Sequence, residues 1–400
     1  MSKSDLYILH LISSAGPGSF GLGQVAMNIL REQNLLGNNA EIWTLDNEAD
    51  RQWAADSFGV SIDRIRRFAP SWPGMLRWSR EMESTAEKAA KGLSVVHLHA
   101  LWTGLSRIPN QLRKKFSIPT VITPHGALQK KAMQSSRWKK KIALTLYEGS
   151  DLNNAACFHA VGENEISDIR SFGLNNPVAV IPNGISATWL ESQGDAESFK
   201  AQHGIPADKR VLLYLSRITP IKGLPMFLEA LHENQNFFSD WHFVIAGSDE
   251  FNHLAEVQSV IAQKKMESGV TFVGSMDGQS KRNAFAAADL FVLPSYSEGS
   301  PMVILEALGA SVPVLSTNAS PWQELEEKQC GWLVDISAKA LAEGLREAMQ
   351  CTPEELKLMG MRGKELVATK YTWAKSAQMT IELYEWLLHR RERPDFVVID

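Results

Sequence analysis

Short apolar runs and longer amphipathic stretches alternate along the whole of this 400-residue chain. The runs are rich in Val, Ile and Leu and end at Gly, Pro or polar residues, which is typical of buried strands, whereas the longer stretches follow a helical period. This alternation predicts α/β domains with parallel sheets. The predicted strands of the first half are Leu6–Ile12, Ala40–Thr44, Val95–Leu98, Thr120–Thr123, Cys157–Ala160 and Val178–Ile181. Those of the second half are Val211–Ser216, His242–Ala246, Val270–Val273, Leu290–Leu293, Val312–Ser316 and Gly331–Val334.

The two series of strands meet near Pro182–Gly184. We therefore predict two doubly wound domains of ordinary size, residues 1–184 and 185–372. A last helix is predicted near Thr372–His389, where the helical period is clear.

Bulk composition narrows the class of protein. Hydrophobic residues make up 44% and charged residues 22%, which is ordinary for a globular protein. The net charge of −4 gives no support for a nucleic-acid partner. The three cysteines are widely spaced and odd in number, which favours reduced thiols. Neither a signal peptide nor an apolar run of ~18 residues is apparent, so we expect a cytoplasmic protein.

The segment from Asp289 to Leu315 carries the strongest candidate chemistry. A buried strand is followed by a Gly-Ser-Pro turn and an apolar helix, and Glu298 and Glu306 bracket that turn. Pro301 suits the first turn of a helix, where its missing N–H costs nothing. The free N–H groups at such a helix start bind phosphate, and carboxylates accept hydrogen bonds from sugar hydroxyls.

A pair of cations follows the first strand of the second half. Arg217 and Lys222 lie between that strand and a helix, with Gly223 at the turn. A departing nucleoside diphosphate needs its charge neutralised. Because the chain contains no D-x-D motif for Mn²⁺ or Mg²⁺, we expect cations and a helix dipole to do this, with no metal and no cofactor.

Together these motifs resemble the family 4 retaining glycosyltransferases, strongly over residues 211–316 and moderately over 6–25 and 120–184. The resemblance implies the GT-B fold, an α/β architecture of two doubly wound Rossmann-like domains facing each other across a cleft. It also implies that the C-terminal helix, within about 373–400, packs back on the N-terminal acceptor-side domain. Four positions depart from the family pattern: Ser216 and Pro301 each replace a glycine, Ser300 replaces a phenylalanine and Ser186 replaces an aspartate.

The resemblance also implies roles for individual residues. Glu298 would lie near the donor sugar, Glu306 would bind the ribose hydroxyls, and backbone amides between them would hold phosphate. His125, in VITPHGAL, would position the sugar, so we predict His125, Glu298, Arg217 and Lys222 as catalytic. The predicted nucleotide-sugar site further comprises Gly21, Gly23, Val273, Met276, Gly299, Ser300, Met302, Val303 and Glu306.

A glycine-rich loop, Gly16–Gly23, follows the first strand and precedes a helix predicted from about Gln24. It satisfies the G-x-G-x-x-G spacing, with Glu41 or Asp46 as the acid of a dinucleotide site. An NAD-dependent oxidoreductase is therefore a rival class. The resemblance instead implies a loop that touches the donor diphosphate and borders the acceptor pocket.

Two further features bear on the acceptor. His97 and His99 form an H-x-H pair without a visible third metal ligand, so we interpret His97 as core. The predicted acceptor side comprises His99, Trp102 and Asn183. The basic run Lys130–Lys141, which contains Trp138, fits a solvated face or contact with the anionic inner membrane, and both interpretations stay open.

The predicted function is retaining, metal-independent transfer of a sugar from a UDP- or GDP-sugar to a glycan or lipid-linked acceptor in surface polysaccharide synthesis. A nucleotide-sugar-binding homologue without catalysis is the second hypothesis. This second hypothesis is less favoured, because a homologue without catalysis would be expected to lose charged site residues. Four such residues are present here: Glu298, Glu306, Arg217 and Lys222.

Overall fold

The computed structural model describes residues 6–99, 101–129, 132–133, 136–191 and 194–399. The chain divides into two compact units. One unit comprises Met1–Asn183 with Trp373–Asp400, and the other comprises Gly184–Thr372. Each unit has its own sheet, wholly or almost wholly parallel, and its own hydrophobic clusters.

The first unit is built on an eight-stranded sheet. Its strands are β1 (Tyr7–Leu11), β2 (Asn39–Thr44), β3 (Ile65–Arg67), β4 (Val95–Leu98), β5 (Thr120–Ile122), β6 (Cys157–Ala160), β7 (Val178–Val180) and β14 (Val397–Val398). The order is β14-β7-β6-β5-β4-β1-β2-β3, and only β14 is antiparallel to its neighbour. Its helices are α1 (Phe20–Leu35), α2 (Glu48–Phe58), α3 (Arg80–Ala89), α4 (Arg107–Phe116), α5 (Arg137–Ala143), α6 (Gly149–Asn154), α7 (Asn164–Ser171) and α17 (Trp373–Leu387), with a π-helical turn at Leu144–Glu148 between α5 and α6.

The two faces of this sheet are both covered. Leu9 and Leu11 belong to one cluster, whereas Ile8 and Ile12 belong to the other, as strand alternation requires. Helix α17 packs beside α1 on the second face and buries Tyr384 there. The C-terminal helix is therefore part of the first unit.

The second unit is built on a six-stranded parallel sheet of order β10-β9-β8-β11-β12-β13. Its strands are β8 (Arg210–Leu215), β9 (Trp241–Ala246), β10 (Val270–Gly274), β11 (Leu290–Leu293), β12 (Val314–Thr317) and β13 (Gly331–Val334). Its helices are α8 (Ala187–Glu191), α9 (Ala196–Gln202), α10 (Leu224–Glu233), α11 (His253–Gln263), α12 (Gly278–Ala287), α13 (Met302–Gly309), α14 (Glu324–Glu327), α15 (Ala338–Gln350) and α16 (Pro353–Lys370).

The strand orders place a topological switch point in each sheet. In the first unit the order reverses between β1 and β4, and in the second between β8 and β11. Loops that leave the carboxyl ends of two such strands diverge and leave a crevice, where open α/β sheets bind ligands. The glycine-rich segment follows β1, and the cation loop and the glutamate loop follow β8 and β11.

The predicted strands are all present, each within two residues of its predicted bounds. Two strands were missed. Strand β3 has a single buried apolar residue followed by two exposed arginines, and β14 is only two residues long, so neither has a hydrophobic pattern. The helix expected from Gln24 begins at Phe20, because a short 3₁₀ turn at Pro17–Ser19 leads directly into it.

No helix of the described ranges combines the length and apolar character that crossing a bilayer would need.

Candidate functional site

The turn between β11 and α13 has the form that the sequence predicts. All four residues of β11 are buried, and α13 begins at Met302. Pro301 occupies the N-cap position just before the helix, rather than its first turn, and no side chain caps this end. The first N–H groups of α13, including those of Met302 and Val303, therefore lie at the helix start without an intrahelical acceptor.

Glu298 is held by two partners in this turn. Its Oε1 lies 2.6 Å from Nζ of Lys222, and the Ser295 hydroxyl donates to the same oxygen at 2.5 Å. The Lys222 and Glu298 side chains are only 11% and 9% exposed. Removing either side chain of such a buried ion pair would leave the other charge buried and uncompensated, so the two residues stabilise each other in this position.

The backbone explains how these two loops meet. The Tyr296 amide donates to the Ile221 carbonyl at 2.8 Å. Gly223 has φ +71°, and a Cβ there would lie 2.0 Å from the Pro294 carbonyl oxygen. Only glycine allows the turn after Lys222 to approach the end of β11 this closely. The two predicted loops therefore contact each other directly at the switch point of the second sheet.

Arg217 and Lys222 have different partners. Nη1 of Arg217 lies 3.0 Å from Oε2 of Glu250, and its side chain is 58% exposed. The described structure therefore joins Lys222 to Glu298 and places Arg217 in a separate surface ion pair.

Glu306 lies one turn further along α13. Its Oε2 is 2.5 Å from Nζ of Lys281, and its backbone carbonyl accepts the Trp189 indole N–H at 2.9 Å. Lys281 and Arg282 also lie over the Trp189 ring. Glu306 is thus charge-paired and lies beside an aromatic residue that the sequence did not single out.

The remaining predicted donor residues surround this turn or the end of β10. Gly299 and Ser300 are partly buried between Glu298 and α13. Val273 and Met276 pack partly buried against the same hydrophobic cluster as Met302 and Val303.

The first unit contains a cavity of about 920 Å³ at the carboxyl ends of its strands. Its lining includes Ser13, Gly18, Asp46, Arg77, Thr103 and His125.

Gly21 and Gly23 lie in the first turn of α1 rather than in a loop. A Cβ on Gly23 would lie 2.0 Å from the Ser19 hydroxyl, which donates to the Gly16 carbonyl, so packing of this turn requires Gly23.

The two acidic residues considered for a dinucleotide site, Glu41 and Asp46, form hydrogen bonds within the fold. Oδ2 of Asp46 accepts the Ala15 amide at 2.7 Å and ties the loop after β2 to the loop after β1. Glu41 lies within β2 and accepts the Trp43 indole N–H at 3.1 Å. In these positions both carboxylates have structural hydrogen bonds.

His125 has an uncommon conformation. It is partly buried, its φ is +49°, and its Nε2 atom is buried without a hydrogen-bond partner. Desolvation lowers the pKa of His125 to about 3, so the ring is neutral at physiological pH. Strained backbone at a cavity wall is a feature of ligand sites.

His99 lies in the core, not on an open surface. It is fully buried, and its ring stacks on that of His97 with centroids 4.1 Å apart. His10, on β1, lies beside both rings, so the structure supplies the third histidine that the sequence did not reveal. The register that pairs His10 with His97 arises only when β1 and β4 become neighbours.

These three histidines have nitrogen atoms within 4.8 Å of one another, the geometry from which a metal site could be built. Their nitrogens are instead largely occupied by hydrogen bonds: His97 bonds Tyr384 and Thr123, and His10 bonds His99 and Gln33. Hydrogen bonds to side chains thus occupy most of the ring nitrogens of the three histidines.

Trp102 and Asn183 lie at separate places in the first unit. Trp102 has φ +66°, and its indole N–H donates to the Ala127 carbonyl at 3.3 Å. Its amide donates to Glu148, a buried carboxyl that the sequence did not single out and whose pKa burial raises to about 8. Asn183 is buried after β7.

The basic run is only partly described, because Lys130 and Lys131 lie outside the described residues. Helix α5 exposes Arg137, Lys139 and Lys141. Three large apolar side chains, Trp138, Ile142 and Leu146, are exposed at spacings of four residues, at 65%, 50% and 70%. The basic run therefore continues into an apolar surface strip.

Two family models match consecutive parts of the chain. That of the glycosyl transferases group 1 matches residues 195–366, and that of the glycosyl transferase 4-like domain matches residues 20–184. The matches coincide with the second unit and with most of the first.

Individual relatives are similar over most of their length. The chain is 28% identical to alpha-maltose-1-phosphate synthase of Mycolicibacterium smegmatis over 327 residues, covering 78% of this chain and 82% of that protein. It is 27% identical to the GDP-mannose:cellobiosyl-diphosphopolyprenol alpha-mannosyltransferase of Xanthomonas campestris over 318 residues, covering 77% and 78%.

Among solved structures, Anabaena HepE in complex with UDP superposes with a TM-score of 0.76 at 18% identity, covering 95% of this chain and all of that one. At this identity the likeness establishes the shared fold.

Proposed function

Because the chain belongs to the family 4 glycosyltransferases of GT-B fold, we propose that it moves a sugar from a UDP- or GDP-sugar to a glycan or lipid-linked acceptor, with retention of configuration. The observation that carries this proposal is the buried Glu298–Lys222 pair beside the free start of α13. It brings a cation, a carboxylate and unpaired helix N–H groups to one switch point, as a nucleoside diphosphate sugar requires.

In the proposed reaction, the bond between the sugar C1 and the diphosphate oxygen breaks while a bond from C1 to the acceptor oxygen forms on the same face. The acceptor hydroxyl proton passes to the departing phosphate oxygen, so no protein nucleophile is needed. Glu298 accepts hydrogen bonds from donor-sugar hydroxyls, and Glu306 accepts them from the ribose.

The developing negative charge on the diphosphate must be stabilised for the C1–O bond to break. Lys222 supplies a point charge, the start of α13 supplies N–H groups and the positive end of its dipole, and Arg217 supplies a planar fork once it exchanges Glu250 for phosphate. We propose that this set replaces a divalent cation, since the sequence has no D-x-D motif.

Acceptor binding is proposed for the cavity of the first unit. Its serines, its Asp46 carboxylate and its Arg77 guanidinium present hydrogen-bond donors and acceptors of the kind that carbohydrates use. Gly21 and Gly23 would let the start of α1 approach the donor diphosphate. We propose that His125, which is neutral and lines the cavity wall, forms a hydrogen bond with a sugar hydroxyl.

A surface-polysaccharide role and peripheral membrane contact belong to the same proposal. The Xanthomonas campestris relative takes a diphosphopolyprenol-linked acceptor by its name, which makes a lipid-linked acceptor a suitable candidate here. The strip Trp138, Ile142 and Leu146, beside exposed cations of α5, combines apolar insertion with attraction to anionic headgroups.

Thermal-shift titration of the full chain with UDP, GDP, ADP and NAD tests the proposal. UDP or GDP should stabilise the protein through the second unit, and Lys222→Ala should weaken that stabilisation. Release of UDP or GDP from a matching nucleotide sugar, with the anomeric configuration of the product read by NMR, then tests the transfer. Stabilisation by NAD alone would favour the oxidoreductase, and donor binding without turnover on any acceptor would favour the non-catalytic homologue.

A further inference from the structure

A row of imidazoles crosses one face of the first unit's sheet. His10 on β1, His97 on β4 and His159 on β6 share the strand parity of Ile8, Val95 and Cys157, which face α1 and α17. All three histidines are essentially fully buried, and His99 continues the row from the end of β4. Polar side chains in such a position need a reason, because burying them unpaired costs free energy.

The hydrogen bonds fix where the protons lie. Gln33 directs its Nε2 to the Thr380 hydroxyl at 2.9 Å, so its Oε1 is the acceptor that faces His10. His10 therefore carries its proton on Nε2 and donates it to Gln33 at 2.7 Å. The Nδ1 atom of neutral His10 is then an acceptor.

The same reasoning extends to His99. Its Nε2 lies 2.8 Å from Nδ1 of His10 and must donate the proton. Neutral His99 then holds a lone pair on Nδ1, which is buried without a partner. Gln33 thus determines the tautomer of His99 through His10.

His99 in turn stacks against His125, with ring centroids 5.9 Å apart and planes 26° from parallel. His125 also has a buried, unpartnered nitrogen, Nε2. The two rings are nearly parallel, so His99 forms part of the support against which the His125 ring packs.

We propose that Gln33 and His10 form a tautomer relay that fixes the proton of His99, and that His99, held in this way, positions the stacked ring of His125 on the wall of the first unit's cavity. Gln33, His10 and His99 are positioning residues, and none of them needs to touch a substrate. This inference rests on the proposed function for its catalytic consequence, but the tautomers themselves do not depend on it.

Nitrogen NMR of the ¹⁵N-histidine-labelled full chain at neutral pH is the direct test, because protonated and unprotonated imidazole nitrogens differ widely in shift. His10 and His99 should each show a protonated Nε2 and an unprotonated Nδ1. A protonated Nδ1 on His10 or His99 in the wild-type protein would overturn the relay, whatever the enzyme does.

His10→Phe removes the acceptor for His99 while keeping an aromatic ring, and His159→Phe is the matched control. His159 lies on the same face and donates to the Ile181 carbonyl, outside the relay. In His10→Phe the His99 tautomer should become mixed, and kcat should fall about tenfold or more with the donor KM within about twofold, as expected for a misplaced group. His159→Phe should retain both the His99 tautomer and kcat.

If His10→Phe does not fold, Gln33→Met is the second variant. It removes the acceptor of the His10 Nε2–H bond without changing any histidine of the row. Equal losses of kcat in the relay and control variants, with unchanged tautomers, would show that the row only supports the fold. Wild-type protein with the predicted tautomers but no transfer from any nucleotide sugar would refute the proposed function and leave the relay standing.

Discussion

Oε1 of Glu298 and Nζ of Lys222 lie 2.6 Å apart, and both side chains are almost completely buried. The two residues are separated by 76 positions in the sequence and come from the loops after β8 and β11. Because those strands are neighbours at the switch point of the second sheet, the pair links the two halves of that sheet at the place where open α/β sheets bind ligands.

Lys222→Ala should lower both activity and stability. Removing one electrostatic stabiliser from a transition state typically costs about 3 kcal/mol in kcat. Leaving Glu298 buried without its partner should also destabilise the fold by about 3–5 kcal/mol, measured by chemical denaturation.

A double variant separates the two effects. Lys222→Ala with Glu298→Gln should recover much of the stability, because no unpaired charge stays buried, while activity stays low. Lys264→Ala serves as the control, because its pair with the exposed Glu229 should be worth at most about 1 kcal/mol. A fully active Lys222→Ala enzyme would show that the cation has been misassigned.

Arg217 should matter for the donor and hardly at all for stability. Its pair with Glu250 is largely exposed, so Arg217→Lys should change the free energy of unfolding by less than about 1 kcal/mol. The same change should weaken UDP or GDP binding, measured calorimetrically, because an ammonium cannot replace a bidentate fork. Glu250→Gln frees the guanidinium and should tighten binding; weaker binding in that variant would argue against Arg217 as a phosphate ligand.

Chelation should leave the proposed transfer nearly unaffected. We expect the rate of nucleoside diphosphate release to be similar before and after dialysis against EDTA, since Lys222, Arg217 and the α13 start are proposed to neutralise the leaving group. Restoring Mg²⁺ or Mn²⁺ is the control. An absolute requirement for either cation would contradict metal-independent transfer.

The first unit should lose stability in mild acid. Burial lowers the pKa of His10 and His159 to about 4 and also depresses the pKa values of His97 and His99. The unfolded chain takes up these protons near pH 6.5, so each such histidine costs about 1.4 kcal/mol per pH unit from there down to its folded pKa.

Three buried carboxyls of the first unit act in the opposite direction. Burial raises the pKa of Glu148 to about 8 and that of Asp151 to about 7, and it also raises the pKa of Glu165. Their contribution to stability therefore grows as the pH falls toward about 4.5. Because four buried histidines outnumber them, the free energy of unfolding from urea titrations should be lower at pH 5 than at pH 7. His159→Phe should reduce that pH dependence, and equal stability at both pH values would contradict a neutral histidine row.

The apolar strip of the first unit should bind anionic bilayers. Replacing Trp138, Ile142 and Leu146 by Ser should reduce co-sedimentation with phosphatidylglycerol vesicles, because the buried apolar area would be lost. Leu358→Ser with Met361→Ser is the control, since both side chains are 54% exposed on α16 of the other unit. Binding that is equal to phosphatidylcholine and phosphatidylglycerol, or unchanged by the triple variant, would exclude this surface.

The sequence by itself determined twelve strands of the two sheets and the places along the second sheet at which the candidate site residues lie. Strand positions follow from apolar runs, and Glu298, Glu306, Arg217 and Lys222 stand in local motifs whose spacing places them after particular strands. Local patterns suffice there because a parallel strand buried on both faces is predominantly apolar, and because the residues after it lie at the sheet's carboxyl edge.

Only the tertiary structure decided which of these residues meet. Lys222 pairs with Glu298 while Arg217 pairs with Glu250. Gly223 allows the close approach to Pro294 that brings the loop of Lys222 next to the loop of Glu298. His10 gave no signal in the sequence, because its neighbours His97 and His99 are almost 90 residues away. Strand order brings distant positions into register, and hydrogen bonds between strands that are remote in the chain leave no local periodicity to detect.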